Sequence, residues 1–81
     1  MRYSFTRRFI GSYHDFSPDI QSKFDKQLRF LLQNLKYPSL KAKKYNEEIG
    51  VWQGRVDRNV RFYFLIEDDV YILLDIKRHP K

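Results

Sequence analysis

The spacing of hydrophobic positions changes character along the chain, and each change marks an element. Arg2 to Phe5 alternates polar and aromatic side chains, as in a short strand whose successive residues point to opposite faces. Thr6 then offers a hydroxyl to a first-turn amide, and Phe9, Ile10 and Tyr13 fall on one face of a brief helix that Gly11 weakens. A stronger helix start lies at Ser17-Pro18-Asp19. Ser17 can cap, Pro18 suits the first helical position because it has no amide to leave unpaired, and Asp19 complements the positive end of the helix. Ile20, Phe24, Leu28, Leu31, Leu32 and Leu35 recur at three- and four-residue steps, a core-facing stripe, while Lys23, Lys26, Arg29 and Gln33 look outward. Tyr37-Pro38-Ser39 closes the helix.

From Val51 the period becomes two, predicting strands over Val51 to Arg58, Val60 to Glu67 and Val70 to Lys77 in a β-meander. Trp52 and Val56 share a face of the first, Phe62, Phe64 and Ile66 of the second, Ile72, Leu74 and Ile76 of the third. Register then constrains the turn. A two-residue turn at Asp68-Asp69 pairs Glu67 with Val70 and sets Phe62 opposite Asp75, mixing apolar and charged residues on one face. A three-residue turn, Asp68 to Val70, instead sets Phe62 opposite Ile76 and Arg61 opposite Lys77. Arg61, Lys77 and His79 then share the face that the helices leave uncovered, and parity brings Arg55 to the same side. The expected architecture is α+β, two N-terminal helices packed on a mainly antiparallel sheet in the order β-α-α-β-β-β, as a single domain over residues 1–81. Residues 36–50 are read as one long connection, of a length that in compact domains is often functional.

Charge sharpens this picture. The formal net charge is +6 over 81 residues. Lys36, Lys41, Lys43, Lys44, Arg55, Arg58 and Arg61 stand against only Glu47, Glu48 and Asp57 between positions 36 and 61. Such a surface attracts polyanions, either nucleic acid or an acidic protein. A solvated basic face that only keeps a small domain soluble is the plainer alternative. The chain contains no cysteine, which excludes disulfide and thiolate–metal frameworks and makes a cytoplasmic location the expectation. No apolar stretch approaches the roughly 20 residues that span a bilayer, so no membrane association is expected. A domain this small buries a thin core and works from a surface or a shallow groove.

The residue types narrow the chemistry further. No glycine-rich phosphate loop, no histidine pair at metal-ligand spacing and no serine on a Gly-flanked turn is present, so neither a metal nor a small-molecule cofactor is expected. What remains is Arg, Lys and His on an open sheet face, which suffices for phosphodiester cleavage through the ribose 2′-hydroxyl. Arg61 suits the role of stabilising the phosphorane, since a guanidinium stays charged and grips two phosphate oxygens. His79 suits the acid, because imidazole titrates near neutral pH. Lys43, Lys44, Glu47 and Glu48 are all candidates for the base, a lysine only where neighbouring cations favour loss of its proton. Lys41, Arg55, Arg58 and Lys77 are candidates for binding the RNA backbone, and Tyr63 for stacking on a base. Trp52 could also stack on a base but reads more naturally as core, and His14 as structural or exposed.

The run Gly50-Val51-Trp52-Gln53-Gly54-Arg55-Val56-Asp57-Arg58-Asn59-Val60-Arg61-Phe62 precedes an aromatic–aliphatic strand, Asp68-Asp69, a second apolar strand and a basic-basic-His ending. In that order the chain resembles the RelE/ParE superfamily of bacterial toxins over nearly its whole length, closest to its RelE/YoeB-like branch. The resemblance implies a RelE-like fold, a cognate antitoxin as partner, and metal-independent cleavage of mRNA on the ribosome. Arg61 matches the strand arginine that contacts the scissile phosphate, His79 the C-terminal histidine proposed as general acid, and Arg55 a basic strand position. Lys41, Lys43 and Lys44 lie where relatives place basic residues or a glutamate base. Pro80 stands where relatives carry an aromatic residue. Two other readings stay open within the superfamily: a ParE-like inhibitor of DNA gyrase without nuclease activity, and an inactive antitoxin-binding remnant.

Overall fold

The computed structural model describes residues 1–79, so Pro80 lies outside the described residues. Strand β1 (Arg2–Phe5) leads into helix α1 (Arg7–His14), and α2 (Pro18–Gln33) follows. Both helices start as their sequences require. The Thr6 hydroxyl accepts from the Phe9 amide at 3.1 Å and the Ser17 hydroxyl from the Ile20 amide at 3.4 Å, with Pro18 in the first turn. A single turn of 3-10 helix (Pro38–Leu40) comes next. Strands β2 (Lys43–Asn46), β3 (Val51–Arg55), β4 (Val60–Glu67) and β5 (Val70–Arg78) complete the chain. They form one five-stranded sheet in the order β1-β5-β4-β3-β2. Neighbours pair antiparallel except β1, which runs parallel to β5 at the edge. This is the expected α+β architecture with one strand more: β2 lies inside the segment read as a plain connection. All four of its residues are exposed, so no apolar alternation announces it, and its place comes from backbone pairing with β3.

The core fills the space between the helices and one face of the sheet. Phe9, Phe24, Leu31, Phe62, Phe64, Leu73 and Ile76 are fully buried there. Two ring pairs there meet edge to face, Phe24 with Phe62 at 5.3 Å and 81° and Phe64 with Tyr71 at 5.7 Å and 83°, while Phe62 and Phe64 stack at 5.5 Å. Ile10 departs from the expected face of α1 and is 45% exposed. Of the residues in the predicted stripe, Leu32 and Leu35 are only partly buried, and Leu35 lies beyond the end of α2. Gln27, which falls on the same side of α2 as Phe24 and Leu31, is buried. Its amide nitrogen donates to the carbonyls of Ser39 (3.0 Å) and Arg55 (2.7 Å), and its amide oxygen accepts from the Ser39 hydroxyl (3.1 Å). One side chain of α2 thus ties the 3-10 turn to the end of β3.

The β4–β5 hairpin reconciles the register by a different device from the one expected. The turn has two residues, Asp68 and Asp69, with Glu67 paired to Val70 and Asp68 in the left-handed region at φ 54°. Short-chain Asp tolerates that conformation better than most residues. A β-bulge then shifts the ladder: Phe64 pairs with Leu73 but Tyr63 with Asp75, leaving Leu74 as the extra residue. Phe62 therefore faces Ile76 and Arg61 faces Lys77, as expected. Between turn and bulge the parity is reversed: Tyr71 and Leu73 are the buried residues, with Ile72 and Leu74 only half-buried. The bulge also fastens α1. The Thr6 amide donates to the Leu73 carbonyl (3.0 Å), its hydroxyl to the Leu74 carbonyl (3.0 Å), and the Ser12 hydroxyl to Asp75 (2.7 Å). Among the described residues no helix is long and apolar enough to cross a membrane.

Candidate nucleic-acid interface

The sheet face away from the helices carries the charge. Strand β3 ends at Arg55, and a loop folded back by Asp57 returns the chain to β4. The Asp57 carboxylate accepts from the Asn59 amide (2.8 Å) in an Asx turn, and the Val56 amide donates to the Val60 carbonyl (2.9 Å). This closure sets Arg55 directly opposite Arg61, and Arg61 opposite Lys77 on β5. Three cations thus stand in a row across three strands, at about 4.8 Å from strand to strand. Like charges directly opposite destabilise a ladder, so the row costs the fold stability unless an anion neutralises it.

Arg61 is only 8% exposed. Its Nη1 donates to the loop carbonyls of Asp57 (2.6 Å), Val60 (3.1 Å) and Arg58 (3.3 Å), and no carboxylate among the described residues pairs with it. The acids that could neutralise it are used elsewhere. Asp75 accepts from Ser12 and from the Ile76 amide, and Asp57 lies 3.7 Å from Lys23. Carbonyl contacts through one nitrogen fix the guanidinium plane and leave its charge intact. Arg55 has its Nε buried with no hydrogen-bond acceptor among the described residues.

These residues line a pocket of about 160 Å³ bounded by Lys41, Lys43, Gln53, Arg55, Arg61 and His79, five of the six basic. The His79 side chain is exposed, but its backbone amide donates to the Asn59 carbonyl at 2.6 Å, so pairing continues past β5 and fixes where the imidazole starts. Lys41 reaches the rim from a left-handed residue (φ 45°) just after the 3-10 turn. Lys43 pairs with Gln53. The pocket therefore gathers Lys41, Lys43, Arg55, Arg61 and His79 from the sequence-predicted set, and Lys77 and Tyr63 flank it on the same face. Lys44 is placed on the other side of β2, opposite Trp52, with its ammonium 5.2 Å from the indole centroid. Arg58 sits exposed at the tip of the β3–β4 loop. Glu47 and Glu48 lie in the β2–β3 turn beyond the Asn46–Val51 pair, a further four residues, or roughly 13 Å, along β3 from Arg55.

Two residues of this face were missed in the sequence. Gln53 is 6% exposed and lines the pocket. It shares parity with Arg55, so the strand period alone marks it. Tyr45 is the residue left unpaired where the β2–β3 register slips between Lys44 and Asn46. Its ring meets that of Tyr63 at 4.9 Å and 63°. Lys77 places its ammonium 5.1 Å from the Tyr63 ring centroid. Burial, and to a lesser degree Tyr45 beside it, push the Tyr63 phenol above its ordinary 10.0, with Arg61 opposing and Asp75 adding to the rise.

Two helices on a five-stranded mixed sheet are also the fold of solved RelE- and YoeB/ParE-type toxins, and the chain has that fold. It matches a YoeB/ParE toxin from Agrobacterium tumefaciens with a TM-score of 0.82 at 14% identity, covering 99% of this chain and 100% of the other. YafQ from E. coli matches with a TM-score of 0.80 at 13% identity, covering 98% and 94%. The YoeB–YefM toxin–antitoxin complex from Staphylococcus aureus matches with a TM-score of 0.78 at 15% identity, covering 99% and 98%. No family model and no curated protein matches the sequence.

Proposed function

We propose that the chain is the toxin of a type II toxin–antitoxin pair, a metal-independent endoribonuclease that cuts mRNA on the ribosome and so inhibits translation. The observation that carries this reading is the row Arg55, Arg61, Lys77, adjacent across three strands and bordered by His79, with no carboxylate in the pocket they flank. Such a site holds a phosphate. The scissile phosphate is gripped by Arg61 and Arg55, with Lys41, Arg58 and Lys77 meeting flanking phosphates. Lys43 is the base candidate that lines the pocket; it takes the proton from the 2′-hydroxyl as O2′ bonds to phosphorus. His79 delivers a proton to the departing 5′-oxygen as the P–O5′ bond breaks, leaving a 2′,3′-cyclic phosphate and a 5′-hydroxyl. The cations stabilise the extra negative charge of the phosphorane between those events. A cationic toxin suits an acidic antitoxin that covers this face. The fold supports that partner, since the Staphylococcus aureus structure pairs YoeB with YefM.

The test is tightly controlled expression of wild type, His79→Ala and the Arg61→Ala/His79→Ala double variant, with mRNA 5′ ends mapped alongside growth. Wild type is expected to arrest growth with new ends inside translated codons. His79→Ala should lower cleavage by about 10²–10⁴-fold, and the double variant should abolish it. Because Arg61 also braces its loop, the purified variants are compared for thermal stability. Equal arrest in all three with intact mRNA overturns the nuclease reading and makes DNA gyrase the next target to examine.

A further inference from the structure

The phosphate-binding row explains the lysines and arginines of the bare face but not its aromatics. Tyr45 is 59% exposed, a large ring that the fold does not need for burial. It sits at the register slip of β2, and bulges re-aim side chains in this way beside functional sites. The slip directs Tyr45 over the face where Lys43 and Gln53 lie, onto Tyr63 of β4. Tyr63 is half-buried and held by Tyr45 on one side and the Lys77 ammonium on another. Tyr63 and Arg61 are two residues apart on one strand, so their side chains leave the same face roughly 6.6 Å apart. That is about the length of one nucleotide step in an extended single strand.

We infer that Tyr45 and Tyr63 form a base-stacking platform that holds the unpaired base of the nucleotide next to the phosphate bound at Arg61. This deepens the proposed function, on whose assignment of the Arg61 pocket to RNA it rests. The chemistry is that of single-stranded nucleic-acid sites, where a cationic track holds the backbone and aromatic faces accept bases irrespective of sequence. Neutral phenols are required, since a phenolate would repel the neighbouring phosphate. Burial of Tyr63 favours its neutral form. The platform needs a base without reading its identity, so a nucleotide lacking its base loses the contact while all four bases keep most of it.

The experiment uses the purified full chain and short, end-labelled RNA oligonucleotides made uncleavable by 2′-O-methyl groups, with a single abasic position moved along the strand. Binding is read by fluorescence anisotropy over a salt series. For wild type, one abasic position is expected to weaken binding by about 5- to 150-fold, the range of one base–aromatic stack. Tyr45→Leu should lose about the same factor on intact RNA, bind abasic and intact strands alike, and keep the wild-type salt dependence. Tyr45→Phe should restore affinity. Arg61→Ala should flatten the salt dependence and keep the abasic penalty. Equal affinity of wild type and Tyr45→Leu for intact RNA, insensitivity of wild type to every abasic position, or no RNA binding by wild type overturns the platform. The two readings fail separately. A Tyr45-dependent abasic penalty in a protein that leaves mRNA uncut supports the platform while the nuclease assignment falls; cleavage in cells with no Tyr45 dependence does the reverse.

Discussion

Gly54 and Gly11 give a paired prediction in which the same substitution has opposite signs. Gly54 lies inside β3 with its α-carbon against the ring of Phe62. A β-carbon there would overlap Cζ of that ring and sit 2.6 and 3.1 Å from Cε1 and Cε2, where ordinary contact is 3.4–4 Å. Relief requires the ring to retreat by about 1 Å or the strand to bend. Phe62 has nowhere to go: it is fully buried, with Phe24 edge-on at 5.3 Å and Phe64 stacked at 5.5 Å. Overpacking of this kind costs about 1–3 kcal/mol, and a ring hemmed in on two sides belongs at the upper end. For a domain of this size each kcal/mol is worth about 4–8 °C in Tm, so Gly54→Ala should melt roughly 12–24 °C below the parent. Gly11 lies within α1 with nothing within 4 Å of the added carbon. Ala there gains helix propensity and loses unfolded-state freedom, a stabilisation of about 0.5–1 kcal/mol. Thermal unfolding by circular dichroism measures both, and Trp52 emission follows the neighbouring rings, since its indole stacks on Phe64 at 6.2 Å. A Gly54→Ala protein that melts with the parent, or two variants that shift in the same direction, refutes this account of the Phe62 packing.

Gln27→Leu should destabilise by about 1–3 kcal/mol in urea titration, because the Arg55 and Ser39 carbonyls lose their donor; it should also weaken cleavage, since Arg55 is displaced. Lys43→Ala is expected to lower mRNA cleavage by at least about tenfold, whereas Lys44→Ala costs only about 0.5–1 kcal/mol of stability from the lost contact with Trp52, and equal loss of cleavage in both would displace Lys43 from its assigned role. Inorganic phosphate should raise Tm in wild type, by about 1.4 kcal/mol of stability at ten times its Kd, and not in Arg55→Ala/Arg61→Ala; identical shifts in both would mean that the anion binds elsewhere. Burial raises the phenols of Tyr13, Tyr63 and Tyr71 above 10.0. A raised folded value means that stability is full below pH 10 and falls as pH rises through the folded value. Tyrosinate absorbance should show these groups ionising after the exposed tyrosines, and a single titration at the ordinary value would contradict their burial.

The helices were legible because capping chemistry and a period of three to four residues coincide at Thr6 and Ser17 and along Ile20, Phe24, Leu28 and Leu31. Gln27 falls on that same stripe, and spacing rather than residue type marks it as inward. In the row Arg55, Arg61, Lys77, strand parity places Arg55; Arg61 opposite Lys77 follows from matching the apolar faces of β4 and β5, which the structure achieves by a bulge rather than by the expected three-residue turn. The lysines before the row are not placed in either way, because Lys43-Lys44-Tyr45-Asn46 has no apolar face to give it a parity. Without β2 there was no ground for separating Lys43 from Lys44, nor for seeing Tyr45 above Tyr63. A strand made by backbone pairing at a sheet edge leaves little trace in side-chain pattern.

The odd residue of the β4–β5 hairpin has two possible homes. At the turn it makes a three-residue loop; at Leu74 it makes the observed bulge. In either case Tyr63 meets Asp75, Phe62 meets Ile76 and Arg61 meets Lys77, and only residues 71–74 exchange inside for outside. The half of the hairpin that carries the cations is thereby insulated from the half that carries the turn. A lineage could lengthen the Asp68-Asp69 turn by one residue, or drop Leu74, and keep the same row of charges. The price falls on α1, whose fastenings at Leu73, Leu74 and Asp75 hold the bulge where it is. Changes of length in this hairpin should therefore be tolerated by the chemistry and resisted by the first helix.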